Sequence, residues 1–240
     1  MDDLIVSAAC DGPRSRAGDA ALGRYTAAHA AGAAVLQVAT DEVAAALRAG
    51  TPDALVVGGA ELAGLPVEPI DLHCGTDDDV YELFRRDVLR ERAQALLDAG
   101  VKPVSETFTT GGAWNMQLLI DEGLLPAPRA VTLVLGRPGG TWTPPTLDAL
   151  ELRVRSLPPG CVWTLAVQDP EAAWKLLPVA IAMGGHVRVG SEDNPYLPTG
   201  ARAAHDGELV DVVVAAAGQL GRSVATPSSA RRILGIAEPA

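Results

Sequence analysis

Two hydrophobic periods alternate along the chain. Short apolar runs rich in β-branched residues recur at Leu4 to Cys10, Ala33 to Ala39, Ala54 to Val57, Ile70 to Cys74, Val101 to Thr107, Ala130 to Leu135, Cys161 to Val167 and His186 to Val189. Their lengths and Gly- or Pro-rich flanks predict strands. Between them lie stretches that read as helices: Ala20 to Ala31, Asp41 to Ala49, Asp77 to about Ala99, the TTGG segment up to Gly123, Thr146 to Ser156, Pro170 to Met183 and Glu208 to Leu220, with a short capped helix after Thr226. Gly32, Gly100 and Gly123 stop three of them, and the acidic run Asp77 to Asp79 suits a helix N-terminus. Eight strands that mostly alternate with helices predict an α/β fold, a TIM (β/α)8 barrel forming one domain over 1–240. A doubly wound open sheet is the alternative, but DGPRSRAG after the first strand lacks the G-x-G-x-x-G spacing of its phosphate turn. The Pro-punctuated connection between Val57 and Ile70 is too short for a full packed helix, so the front half reads as compressed.

Composition narrows the function classes. A net charge of −11 argues against nucleic acid, which needs clustered Lys and Arg. No apolar run approaches the roughly 20 residues of a membrane span, and the acidic start MDDLIVSAAC has no signal-peptide core, so a cytoplasmic protein without a membrane partner is expected. Three separated cysteines, Cys10, Cys74 and Cys161, make neither a disulfide framework nor a C-x-x-C site.

In a barrel the chemistry sits on the loops that follow the strands. GGHVRVGSEDN, from Gly184 to Asn194, is the strongest candidate there. Period-two alternation sends His186 and Arg188 to one face and Val187 and Val189 to the other, while Glu192 and Asp193 fall on the exit loop. Arg188 with these carboxylates can bind a substrate carboxylate, ligate a metal and orient a general base. The plain alternative is a surface Arg paired with its own loop. His186 reads as a satisfied core histidine deeper in the barrel. DLHCGT brings His73 and Cys74 to a strand end, followed by a Gly75–Thr76 turn whose N–H groups can hold an anion. Adjacent residues face opposite ways, so at most one of the two looks into the mouth. TTGG at Thr109 to Gly112 and GRPGG at Gly136 to Gly140 offer backbone donors that can equally be ordinary turns.

Taken together, VKPVSETF, LIDEGLLPAP, VLGRPGG, GGHVRVGSEDN and GRSVATPSSARRILG resemble the β-keto acid cleavage enzymes, the 3-keto-5-aminohexanoate cleavage family. AGAAVLQVAT and DLHCGT match more loosely. The resemblance implies a TIM barrel, usually an oligomer of identical chains, in which zinc and acetyl-CoA convert a small β-keto acid to acetoacetate and a new CoA thioester. It implies a zinc-ligand role for Glu192 and a substrate-acting pair in Arg188 and Asp193. It also places Cys74, Gly75 and Thr76 on a turn that holds the substrate carboxylate. The sequence departs from the family at its His-x-His zinc ligands, where it has Gln37 and Ala39. Three readings follow: a zinc site rebuilt with His73, or with Cys74 and Cys10; a metal-independent enzyme; or a non-catalytic relative that binds a small carboxylic acid.

Overall fold

The computed structural model describes residues 2–10, 19–38, 40–58, 62–66, 70–74, 79–83, 85–137 and 143–237. In chain order, β1 (Val6–Ala9) leads through α1 (Asp19–Ala30) to β2 (Val35–Gln37), and α2 (Asp41–Gly50) leads on to β3 (Leu55–Val57) and β4 (Leu62–Pro66). Next come β5 (Ile70–Cys74), β6 (Asp79–Leu83) and α3 (Arg86–Asp98). A regular half follows: β7 (Lys102–Thr107), α4 (Thr110–Asp121), β8 (Arg129–Leu135), α5 (Leu147–Arg155), β9 (Cys161–Val167), α6 (Pro170–Ala182), β10 (His186–Val189), α7 (Asp206–Gln219) and α8 (Pro227–Leu234). Eight strands close a barrel in the order β1-β10-β9-β8-β7-β4-β3-β2, and every pair is parallel. This is the expected TIM barrel.

Parallel partners share a face, so register assigns the barrel interior. Ser7 aligns with Arg188 and Val35, Ala9 with Gln37, and Glu106 with Thr132. The other face of each strand packs under the helices, where Leu36, Val56, Leu133, Leu165 and Val187 meet Tyr25, Leu47, Met116, Leu150, Leu177 and Val210. The lower interior is apolar: Ile5, Val35, Leu55, Leu62 and Ala130 cluster with Ala230 and Leu234 of α8, which closes that end. The charged side chains of Arg188 and Glu106 lie toward the opposite end, where the strands finish.

The fourth barrel strand is not the expected one. Leu62–Pro66 fills that place, and Ile70–Cys74 pairs antiparallel with Asp79–Leu83 in a separate two-stranded sheet. Gly64 and Pro66 weaken the strand signal of LAGLP, whereas pairing to β7 over five residues supplies what local propensity does not. The helix predicted from Asp77 begins only at Arg86, because DVYEL is taken up by the β5–β6 pairing. Only four residues, 58–61, separate β3 from β4, too few for a helix on the barrel wall. Val57 lies opposite Leu62, so β4 starts at the height where β3 stops and no return crossover is needed. This accounts for the compressed front half.

Candidate active site at the barrel mouth

The mouth is assembled from the last turns of the strands and the caps of the helices beyond them. Side chains of Thr40, Thr146 and Asp169 each accept a hydrogen bond from the third residue beyond, fixing where α2, α5 and α6 begin. The β10 exit is tighter. Gly190 has φ +143° and passes so close to β1 that a Cβ there would lie 2.0 Å from the Ala9 carbonyl oxygen. The Glu192 N–H then donates to that same carbonyl at 3.1 Å, and the Asp193 and Asn194 N–H groups return to the Gly190 carbonyl. Asp206, buried at the start of α7, accepts from the Ser191 N–H at 2.5 Å. The turn carrying Glu192 and Asp193 is therefore held by β1 on one side and α7 on the other.

Arg188 stands at the centre, only 3% exposed. Its Nε and Nη2 donate to the two oxygens of Asp193 at 2.8 and 2.7 Å, a bidentate pair that is buried on both sides. Its Nη1 donates to Gln37 Oε1 at 2.7 Å and to Glu106 Oε1 at 3.2 Å. Gln37 completes the triangle by donating from Nε2 to Glu106 Oε1 at 2.8 Å. Gln168 Nε2 lies 3.4 Å from Asp193 Oδ1, and the Tyr25 hydroxyl donates to the Gln37 carbonyl at 2.5 Å. Burial pulls the Arg188 pKa down, but the charge and hydrogen bonds of Asp193, then the charges of Glu106 and Glu192, outweigh it and leave it raised. The guanidinium is a permanent cation facing three carboxylates.

His186 lies below on the same face of β10, 4% exposed, and its Nδ1 accepts from the Ile5 N–H at 2.9 Å. Burial, helped by the neighbouring Arg222 charge, lowers its pKa from 6.5 to about 4. It is a neutral core histidine, as the alternation predicts. The unfolded chain therefore takes up this proton at a higher pH than the folded one. Stability should fall as pH drops from about 6.5 to about 4 and level off below, with at most roughly 3 kcal/mol from this group. Melting curves across that range should show a shallower acid limb for His186→Gln than for the parent; identical limbs would exclude the linkage.

Of the expected site residues, the fold brings Arg188 and Asp193 into direct contact and places Glu192 on the same turn. His73 and Cys74 stand on the β5–β6 ribbon and not at the end of a barrel strand. Gly75 and Thr76 fall outside the described residues, as does Ala39. Glu106 joins the site without a motif of its own to mark it. The alternation of KPVSET points Lys102, Val104 and Glu106 to one face, which could have revealed it. Asp206 carries no such signal, because its partner Ser191 is joined to it only by folding. Cys161, whose thiol is pushed up to about 11 by burial, suits packing better than nucleophilic chemistry.

The sequence profile of the β-keto acid cleavage enzymes matches residues 20–236. The chain belongs to that family. Among its relatives, a 3-keto-5-aminohexanoate cleavage enzyme of Fusobacterium nucleatum is 32% identical over 209 residues, 80% of this chain and 74% of its own. A 3-dehydrocarnitine:acetyl-CoA trimethylamine transferase of Rhizobium meliloti is 32% identical over 180 residues, 73% of this chain and 58% of its own. A ternary complex of ObcA with a C4-CoA adduct and oxalate superposes with a TM-score of 0.71 at 17% identity, over 91% of this chain and 66% of that one, which is a likeness of fold.

The zinc implied by the resemblance does not fit the described residues of this member. By the resemblance, the family's histidine pair falls on Gln37 and Ala39, and both ends of the Gln37 amide are committed, to Arg188 and to Glu106. Among the described residues no three His, Cys, Asp or Glu side chains are grouped as metal ligands would be. No described helix is long and apolar enough to cross a membrane.

Proposed function

We propose that this chain cleaves a small β-keto acid at the expense of acetyl-CoA. The acid gives up its CH2–COO⁻ unit, which joins the acetyl group to make acetoacetate, and its acyl remainder leaves as the CoA thioester. Bonds balance without an oxidant or reductant. The observation that carries this reading is the buried Arg188–Asp193 pair at the mouth of a family barrel. The step that needs help is charge development on the carbon next to the keto group. Arg188 supplies a fixed cation for the carboxylate or the developing enolate, and Asp193, oriented by it, exchanges the proton. By the resemblance, Glu192 on the same turn stands where the family has a metal ligand, and Cys74, Gly75 and Thr76 take the role of holding the substrate carboxylate. The same reading takes the protein as one cytoplasmic barrel domain that assembles with copies of itself, as the resemblance implies.

Incubation with acetyl-CoA and a panel of β-keto acids should yield acetoacetate and acyl-CoA in equal amounts, read by coupled dehydrogenase assay and mass spectrometry. Gln37 in place of a metal-ligating histidine favours a second reading, a relative that binds a small carboxylic acid without turning it over. Saturable calorimetric binding with no turnover across the panel would select that reading and reject the first.

A further inference from the structure

We propose that the Gln37 amide, bridging Arg188 to Glu106, takes the place of a metal ligand, and that the Arg188 guanidinium is the resident cation of a mouth that takes no zinc. An amide suits this bridge because one end accepts and the other donates. Oε1 faces the guanidinium at 2.7 Å and Nε2 faces the carboxylate at 2.8 Å. The reverse orientation would set the amide NH2 against a cation and its oxygen against an anion, so the bonding fixes which way the side chain points. The strand beneath is fixed too, since the Gln37 carbonyl accepts from the Tyr25 hydroxyl, and Tyr25 is fully buried on α1.

A zinc ion could use Gln37 only through Oε1, the atom that already accepts from Arg188. At a bond length of about 2.0–2.2 Å, the dication would lie within about 5 Å of Arg188 Nη1, given the 2.7 Å hydrogen bond already present. The guanidinium cannot withdraw, because Asp193 holds its other edge through two hydrogen bonds and the group is 3% exposed. Two cations would then compete for one neutral ligand, and a neutral amide oxygen does not favour zinc over a charge-assisted hydrogen bond already made. On this account Gln37 is a positioning residue. It sets the distance between the cation that meets the substrate and the carboxylate of Glu106.

The proposal concerns metal content and side-chain coupling, which are read without turnover, so its failure is distinct from failure of the cleavage reading. The full chain is incubated with excess zinc chloride, desalted, and its metal measured by mass spectrometry. Substoichiometric zinc and an unchanged melting temperature are expected. One retained zinc per chain, lost in Gln37→Leu, would overturn the proposal. A double-mutant cycle of Gln37→Leu and Glu106→Leu, each of which removes one partner of the bridge, read by urea unfolding, tests the bridge itself. Strong non-additivity is expected, and additive effects would refute the bridge. Where turnover is measured, a zinc chelator should leave the rate unchanged, and Gln37→Leu should lower kcat about 100-fold, as a small misplacement of a positioned group does, with little change in KM.

Discussion

Replacing Arg188 by alanine should both destabilise the protein and abolish its chemistry, the largest combined effect of any single side chain at the mouth. Asp193 would lose both of its charge-assisted hydrogen bonds to Arg188, and Glu106 and Gln37 would each lose one. Removing one partner of a buried pair leaves the other charge desolvated without compensation, which typically costs about 3–5 kcal/mol. Urea unfolding should show that loss directly. Cleavage of β-keto acids should fall by a factor of about 10³ or more, as expected when a preorganised cation aimed at developing charge is lost. Arg188→Lys discriminates between charge and shape. It keeps the cation but loses the planar fork that meets Asp193 with two bonds and Gln37 with a third, so it should recover part of the stability and little of the rate. Parental stability and rate in Arg188→Ala would show that the cluster is a surface ion pair of no consequence.

Gly190→Ala should be nearly as severe, although the side chain it adds is a single methyl group. Its Cβ would lie 2.0 Å from the Ala9 carbonyl oxygen and 2.7 Å from its carbon, both backbone atoms of a buried strand. No rotamer relieves a Cβ clash, and φ +143° is itself a conformation that side chains resist. Relief requires β10 to move away from β1, breaking the parallel pairing of Val6, Ser7 and Ala8 with Val187, Arg188 and Val189. A loss above about 4 kcal/mol is expected, in the range reserved for strained backbone and core disruption. In practice this means poor soluble yield, or a urea midpoint far below the parent. A neighbouring control, Gly184→Ala, meets no atom within 4 Å and pays only for its φ of +88°, so it should be much milder. Equal effects at the two glycines would show that the close approach to Ala9 is not what requires glycine.

Much of this was legible in the chain. The 2.0 and 3.6 residue periods are local properties, so seven of the eight barrel strands and the helices of the second half follow from them nearly residue by residue. Arg188 and Asp193 were legible for the same reason, since a cation at a strand end five residues from a carboxylate lies within reach of one turn. The identity of the fourth strand was not legible. Period and composition say that IDLHC is a strand but not what it pairs with, and LAGLP becomes a strand only because β7 offers it an edge. The mouth shows the same division. The sequence by itself determined the barrel, the strand that carries Arg188, and the absence of histidines at positions 37 and 39. Only the tertiary structure decided what Gln37 does instead. Its two partners lie 69 and 151 residues away, and closure of the barrel alone brings a neutral amide between a guanidinium and a carboxylate in a buried site where each must be satisfied.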